Sequence, residues 1–412
     1  MNLLTLITTF FFLVLTLWTV YHIPIVIAGV RRRFPKEEFS LGESVKLKRY
    51  PKFSIIVPVK DEKAVIARCI EALLRQNYPE DKMEIVIVDG GSKDGTREIC
   101  ESYIKRKPGV IKIINQTEPN GKPSALNEAL NHVDGEIIGV FDADSVPRSG
   151  VLLRTAKIFE DPSIKALQGR TASINKSESL LTRLAANEER VWFQTLVAGR
   201  DELDLFVPLT GSCQFVRYET LIRMGGWREN SLAEDADLAL RLIAKGHRVK
   251  YSSDVRSWQE TPSSLKGLIR QRVRWYMGYI ENLLRYGGLI KNPNKRVIDA
   301  EFTLLGPVMM ILSFITYWTS FLHWMLIGDV QLPYAASIIL TTLILLLIGL
   351  SLIFTNETYK VTDLVWIPTL YFYWLLQTII AFWALIQLIF MKKSSWSKTL
   401  KSGAVTEQLF NA

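Results

Sequence analysis

The chain has 412 residues, 48% of them hydrophobic, and a formal net charge of +9. The length exceeds one ordinary domain, and the concentration of apolar residues in charge-free runs excludes a uniform soluble globule. The basic excess sits beside those runs, at Arg31 to Arg33, Arg270 to Arg296 and Lys392 to Lys401, which fits attraction to membrane lipid headgroups and argues against nucleic acid.

Asn2 to Val30 is the first charge-free run, and Phe302 to Gly328, Val330 to Asn356 and Val365 to Met391 follow near the C-terminus. Each exceeds the roughly 20 residues that cross about 30 Å of hydrocarbon. The first reads as an uncleaved anchor, because no Lys or Arg precedes it, it is too long for a signal-peptide core, and no small-residue cleavage site is evident. Arg31-Arg32-Arg33 directly after it places the following polar domain in the cytoplasm. Cys69, Cys100 and Cys213 lack metal-ligand spacing and cannot all pair, which fits a reducing compartment.

Phe53 to Val59 is a β-branched run ended by a turn, and Ala64 to Gln76 follows with helical spacing. Ile85 to Asp89 repeats the strand pattern and breaks at Gly90-Gly91; Thr96 to Arg106 reads as a helix. Ile111 to Ile114 is a third strand, Ser124 to Asn131 a third helix, and Glu136 to Phe141 a fourth strand. Alternating buried strands and helices predict a parallel sheet with helices on both faces. Ligands bind such sheets at the carboxyl ends of the strands, where Asp61-Glu62, Asp89 and Asp142-Ala-Asp144 fall. The second half is less regular. Ser264 to Tyr286 carries an apolar stripe with basic residues between, which predicts an amphipathic helix at headgroup level.

Three C-terminal crossings would leave Lys392, Lys393, Lys398 and Lys401 on the opposite side from the polar domain, against the positive-inside rule. Val365 to Met391, with Pro368 and several Trp and Tyr, is therefore expected to be interfacial, broken or re-entrant. The predicted organisation is an anchor over 1–33, a polar domain over 34–263, an interfacial region over 264–300, a membrane region over 301–391 and a tail over 392–412.

Asp142 and Asp144 flank one small residue at a strand end, a spacing that suits Mg²⁺ or Mn²⁺ held against a diphosphate; an acidic turn is the bland alternative. Asp89 can accept hydrogen bonds from a nucleobase or ribose, and the glycines after it do not have the spacing of dinucleotide binders. Lys122, on a turn before a helix, can reach a phosphate. Glu234-Asp235 opens a helix, where the dipole favours an anion and Ser231 can cap; the functional alternative makes Asp235 a general base. Gln271, Arg274 and Trp275 share a helical face at i, i+3 and i+4, and Arg272 and Arg274 suit a diphosphate while the indole suits a sugar ring.

These residues, in this order, resemble family 2 of the glycosyltransferases, specifically the membrane-embedded branch with cellulose, hyaluronan, chitin and poly-N-acetylglucosamine synthases. The resemblance spans roughly Phe53 to Tyr276. It implies a GT-A-type α/β fold, with a mostly parallel sheet flanked by helices and membrane helices at both ends. It assigns Val88-Asp89-Gly-Gly-Ser92 to the nucleotide, Asp142-Ala-Asp144 to the metal, Glu234-Asp235 to the base and Gln271-Arg-Val-Arg-Trp275 to pyrophosphate and acceptor. Lys122 falls where a phosphate-contacting lysine is expected, and Thr210-Gly211-Ser212 resembles the loop near the acceptor end. Gly90 and Ala233 depart from the family's usual Asp and Thr. The implied reaction is inverting transfer from a nucleoside-diphosphate sugar, UDP-linked, to a β-linked polysaccharide. A lipid acceptor is the alternative, and a non-enzymatic membrane scaffold would predict loss of the metal or base carboxylates, all of which are present.

Overall fold

The computed structural model describes residues 3–32, 46–118, 120–287, 294–328 and 366–390, scattered positions between 336 and 352, and residues 401 and 403. After α1 (Leu3–Arg32) come β1 (Phe53–Val59), α2 (Ile66–Leu74), β2 (Met83–Asp89), α3 (Thr96–Arg106), β3 (Ile111–Asn115), α4 (Lys122–Leu130) and β4 (Ile137–Val140). β1 pairs in parallel with β2 and β4, and β2 with β3, as the alternating pattern predicts. The two-residue period of a strand separates the layers. Phe53, Ile55 and Val57 pack with Ile66 and Ile70 of α2, whereas Ile56 packs with Ala125 and Leu126 of α4.

The second half supplies β5 (Val146–Pro147), α5 (Val151–Ile158), β6 (Ile164–Ser173), α6 (Leu180–Val191), a π-helical segment (Trp192–Val197), α7 (Ala198–Glu202), β7 (Gln214–Arg217), α8 (Tyr218–Arg223), α9 (Glu234–Ala244), β8 (Arg248–Gln259) and α10 (Leu265–Tyr286). The sheet has eight strands in the order β3-β2-β1-β4-β7-β6-β8-β5. It is mixed: β7 runs antiparallel to β4 and β6, and β5 antiparallel to β8, while β6 and β8 are parallel. The parallel sheet expected from sequence thus holds for the first four strands. β7, between β4 and β6, runs antiparallel to both.

α11 (Lys295–Leu304), α12 (Gly306–Ile327) and α13 (Trp366–Phe390) follow. Among the described residues, three helical segments are long and apolar enough to cross a membrane: Thr9–Arg32, Gly306–Leu326 and Pro368–Phe390. The break expected in the last run is not there. Pro368 sits in the first turn of α13, where its missing N–H has no intrahelical partner to lose. Most of Val330 to Asn356, with Lys392, Lys393 and Lys398, lies outside the described residues.

α1 is held to the sheet domain by a close backbone approach. A Cβ on Gly199 would lie 1.9 Å from the Ile25 carbonyl oxygen, and one on Gly29 would lie 2.0 Å from that of Thr195. Beside this crossing, Arg32 Nη1 is 2.5 Å from Asp201 Oδ2, and Arg200 Nε is 3.1 Å from Asp299 Oδ2. The middle of the α10 stripe is covered by protein, while Leu265 and Leu284 towards its ends are exposed. Val273, Tyr276, Met277 and Ile280 pack with Ile380, Ala381 and Ala384 of α13, and the Tyr276 hydroxyl donates to Gln377 Oε1 at 2.8 Å.

Candidate active site

The acidic groups arrive at one end of the sheet from different strands and helices. Asp89 ends β2 and is buried; its Oδ1 accepts from the Ser92 N–H and hydroxyl at 2.9 and 2.7 Å, and Arg97 stands 3.8 Å from its Oδ2. Glu62 lies on the turn after β1, where its N–H donates to Thr96 Oγ1 at 2.7 Å and its carbonyl accepts from Val65 and Ile66.

Asp142 and Asp144 follow β4, and each carboxylate already faces an ammonium group. Lys122 Nζ is 2.6 Å from Asp142 Oδ1 and donates to the Gly211 carbonyl at 2.8 Å. Burial alone would lower the Lys122 pKa, but Asp142, Glu234 and Asp235 outweigh it and raise it above the ordinary lysine value. Asp144 is buried, with Lys401 Nζ at 2.6 Å and the Glu260 N–H at 2.9 Å from its Oδ2. Burial pushes the Asp144 carboxyl up, yet Lys401, that hydrogen bond and Arg68 hold it below the usual carboxylate range. Lys401 thus has a carboxylate partner at the site, where its basic run was expected to meet lipid headgroups.

Thr210, Gly211 and Ser212 lie between Asp142 and Asp235. The Asp142 N–H donates to Ser212 Oγ at 3.2 Å, and Gln168 and Gln214 accept from the Thr210 and Gly211 N–H groups at 2.9 and 3.1 Å. A Cβ on Gly211, whose φ is +79°, would lie 3.1 Å from both Asp235 Oδ2 and Lys122 Nζ. That clearance puts Asp235 and Lys122 on one small surface. Thr210 Oγ1 is buried with no hydrogen-bond partner among the described residues.

Glu234 and Asp235 open α9, but Ala233 is its N-cap and no side chain caps it. Ser231, expected as a cap, stands two residues early and accepts from the Ala233 N–H at 3.3 Å. Asp235 Oδ1 takes the Ala236 N–H at 2.8 Å, leaving Oδ2 toward Gly211. Burial first, and then the Glu234 charge, push Asp235 up to about 7. Its neighbour Asp237 serves the fold, with Arg241 Nε at 2.7 Å and Arg228 Nε at 3.0 Å.

Gln271, Arg274 and Trp275 line the same cavity as Asp142, Asp144 and Asp235, a space of about 1970 Å³. Trp275 is 38% exposed. Arg272 also reaches the cavity wall, but its guanidinium is buried, 2.6 Å from Glu188 Oε2 and 4.1 Å from the centre of the Trp275 ring. Tyr373 of α13 donates to the same Glu188 oxygen at 2.8 Å. The arginine expected to grip a diphosphate therefore braces the tryptophan and joins α10 to α6 and α13. Sequence reasoning missed Lys401, Glu260, Glu188 and the two positioning glutamines, because nothing in local spacing ties them to residues so distant in the chain.

Among the described residues no three His, Cys, Asp or Glu side chains group as a metal site. Asp142 and Asp144 nevertheless fit a divalent ion that takes its remaining ligands from diphosphate and water, since each already attracts a cation at 2.6 Å.

Fold and site together define a GT-A-type glycosyltransferase. Residues 51–278 match the family model described as glycosyltransferase like family 2, and the chain belongs to that family. It is 30% identical over 299 residues to the probable glycosyltransferase YdaM of Bacillus subtilis, covering 70% of this chain and 71% of that protein. It is 33% identical to a β-monoglucosyldiacylglycerol synthase of Trichormus variabilis, over 58% of this chain and 51% of that one. A cellulose synthase catalytic subunit of Pseudomonas fluorescens is 30% identical over 63% of this chain and 35% of its own length. The chain thus spans about half or less of the last two. A mannosyltransferase of Pyrobaculum calidifontis, solved with GDP-Man and Mn²⁺, shares the fold with a TM-score of 0.62 at 20% identity, over 93% of this chain and all of that one.

Proposed function

We propose that this protein is a metal-dependent, inverting glycosyltransferase of the membrane, which moves a sugar from a UDP-linked donor to the end of a growing β-linked polysaccharide at the cytoplasmic face. The cavity carries this reading. It runs from Asp142 and Asp235 past Trp275 to faces of α1, α12 and α13, where Trp18, Ser313, Thr316, Tyr317, Trp374 and Gln377 line it. Aromatic faces interleaved with hydroxyl and amide groups suit a sugar chain, whose rings present C–H faces and hydroxyl edges.

Asp142 and Asp144 would hold Mg²⁺ or Mn²⁺, which when bound neutralises the departing diphosphate. Lys122 places its ammonium on the same phosphates, and Asp89 and Glu62 border the nucleoside end. Asp235 Oδ2 removes the proton of the acceptor hydroxyl as that oxygen attacks the anomeric carbon from the face opposite the leaving group. A single in-line displacement inverts the centre. A pKa near 7 suits the role, because the base must be free at working pH and still basic enough to take the proton. Trp275 offers a platform for the terminal sugar.

A lipid acceptor is the second reading. It is favoured by the identity to glucosyldiacylglycerol synthases and by Phe12, Leu15, Met309 and Phe321 in the same cavity. Purified full-length protein in bilayers, given radiolabelled UDP- and GDP-sugars, decides between them. Long chains formed early beside unused donor are expected. A singly glycosylated lipid at every donor concentration overturns the polysaccharide reading and promotes the second.

A further inference from the structure

We propose that Lys401 is a resident cation of the metal site, which a divalent ion displaces from Asp144 when it binds. The inference rests on the reading of Asp142 and Asp144 as metal ligands and adds a competitor to it. Lys401 Nζ stands 2.6 Å from Asp144 Oδ2 and donates to the Glu260 carbonyl at 2.8 Å. Two residues on, the Gly403 N–H donates to Glu260 Oε1 at 3.0 Å. Glu260 is itself buried and paired with buried Arg68 at 2.8 Å. Gly403 has φ +67° and lies so close to Ala64 that a Cβ would come within 2.6 Å of the Ala64 carbonyl oxygen. Residues from the turn after β1, from α2, from the loop after β4 and from the end of β8 thus form a seat that fits a lysine followed by a close-packed glycine.

The two lysines at the carboxylate pair differ in kind. Lys122 belongs to α4 and reaches Asp142 from within the catalytic domain; Lys401 comes from beyond the last membrane helix. A divalent ion ligated by Asp144 would stand within a few ångströms of an ammonium that remained there, and like charges at that range repel strongly away from water. Occupancy by Lys401 therefore weakens metal binding in the absence of donor. A bound UDP supplies negative charge that favours the metal, so metal and nucleotide bind together and, after transfer, leave together.

The test is Mn²⁺ binding to full-length protein in lipid nanodiscs, read from loss of the free-Mn²⁺ electron paramagnetic resonance signal, with and without UDP. Without UDP, Lys401→Met is expected to tighten Mn²⁺ binding about tenfold or more, while Lys401→Arg leaves it weak. A second arm uses the close approach at residue 403, where a Cβ would lie 2.6 Å from the Ala64 carbonyl oxygen. Gly403→Ala cannot sit in that seat, so it should loosen Lys401 and, without UDP, tighten Mn²⁺ binding as Lys401→Met does. Equal affinity in wild type, Lys401→Met and Gly403→Ala, with UDP still raising Mn²⁺ binding in each, overturns the proposal and leaves the metal site standing. Absence of Mn²⁺ binding from every variant even with UDP overturns both.

Discussion

At the residue scale, the chemistry depends on how Glu234, Asp235, Gly211 and Lys122 share a small space. Asp235→Asn is expected to lower turnover by about 10²–10⁴-fold while UDP affinity, measured by calorimetry, stays nearly unchanged, because a base acts only in the chemical step. Activity should rise with pH through about 7 as the Asp235 carboxyl ionises. The Glu234 charge helps to raise that pKa, so Glu234→Gln should move the acid limb of the kcat profile to lower pH; a limb that moves up or stays fixed contradicts the assignment. Gly211→Ala tests the shared surface itself. The new methyl carbon would stand 3.1 Å from the proposed base and from Lys122 on a left-handed backbone, and a loss of up to about 10²-fold in kcat is expected without loss of folded protein.

Among elements, the crossing of α1 with α7 and the π-helical segment sets where the membrane part meets the catalytic domain. Gly29 and Gly199 let two backbones touch, and the ion pairs of Arg32 and Arg200 flank the contact. Gly199→Leu would force these helices apart. A destabilisation of at least about 1–3 kcal/mol is expected, seen as a lower Tm of the detergent-solubilised protein. α10 couples the same two parts from the other side, through Arg272, Glu188 and Tyr373. Ser264 caps this helix at the Gly267 N–H, 3.2 Å away, which explains its sharp start just before the Gln271 to Trp275 face.

For the whole molecule, the contact between Lys401 and Asp144 constrains the path of the chain. The chain leaves the polar domain after α10 and residue 401 is again beside it, so an even number of membrane crossings between the two is the expected outcome. An even count would remove the conflict raised by counting three crossings. An epitope tag at the C-terminus should be protected from protease in sealed vesicles on the same side as one inserted at Gly109, and opposite protection would contradict the path. The cavity that joins site and membrane gives a second test at this scale. Trp275→Ala should lower polymer synthesis more than hydrolysis of the donor by water, since only the acceptor uses the ring. Equal loss of both would assign the tryptophan to donor binding or to packing with Arg272.

What was legible in the chain came from short-range pattern. The strands of β1 to β4 read clearly because buried parallel strands are continuous apolar runs, and the carboxylates at their ends mark where a ligand sits. Membrane-length runs are equally local, and the break expected near Pro368 is absent because a proline in a first turn looks the same in sequence as one in a helix interior. β6 and β8 were missed because residues such as Gln168, Arg170, Lys250 and Asp254 interrupt their apolar pattern; their pairing with each other and with β7 supplies the order. Tertiary structure alone decided that Arg272 would face Glu188 and that Lys401 would face Asp144. Buried charges need partners, and the partner is whichever opposite charge the fold brings within reach, at separations in sequence that no periodicity encodes.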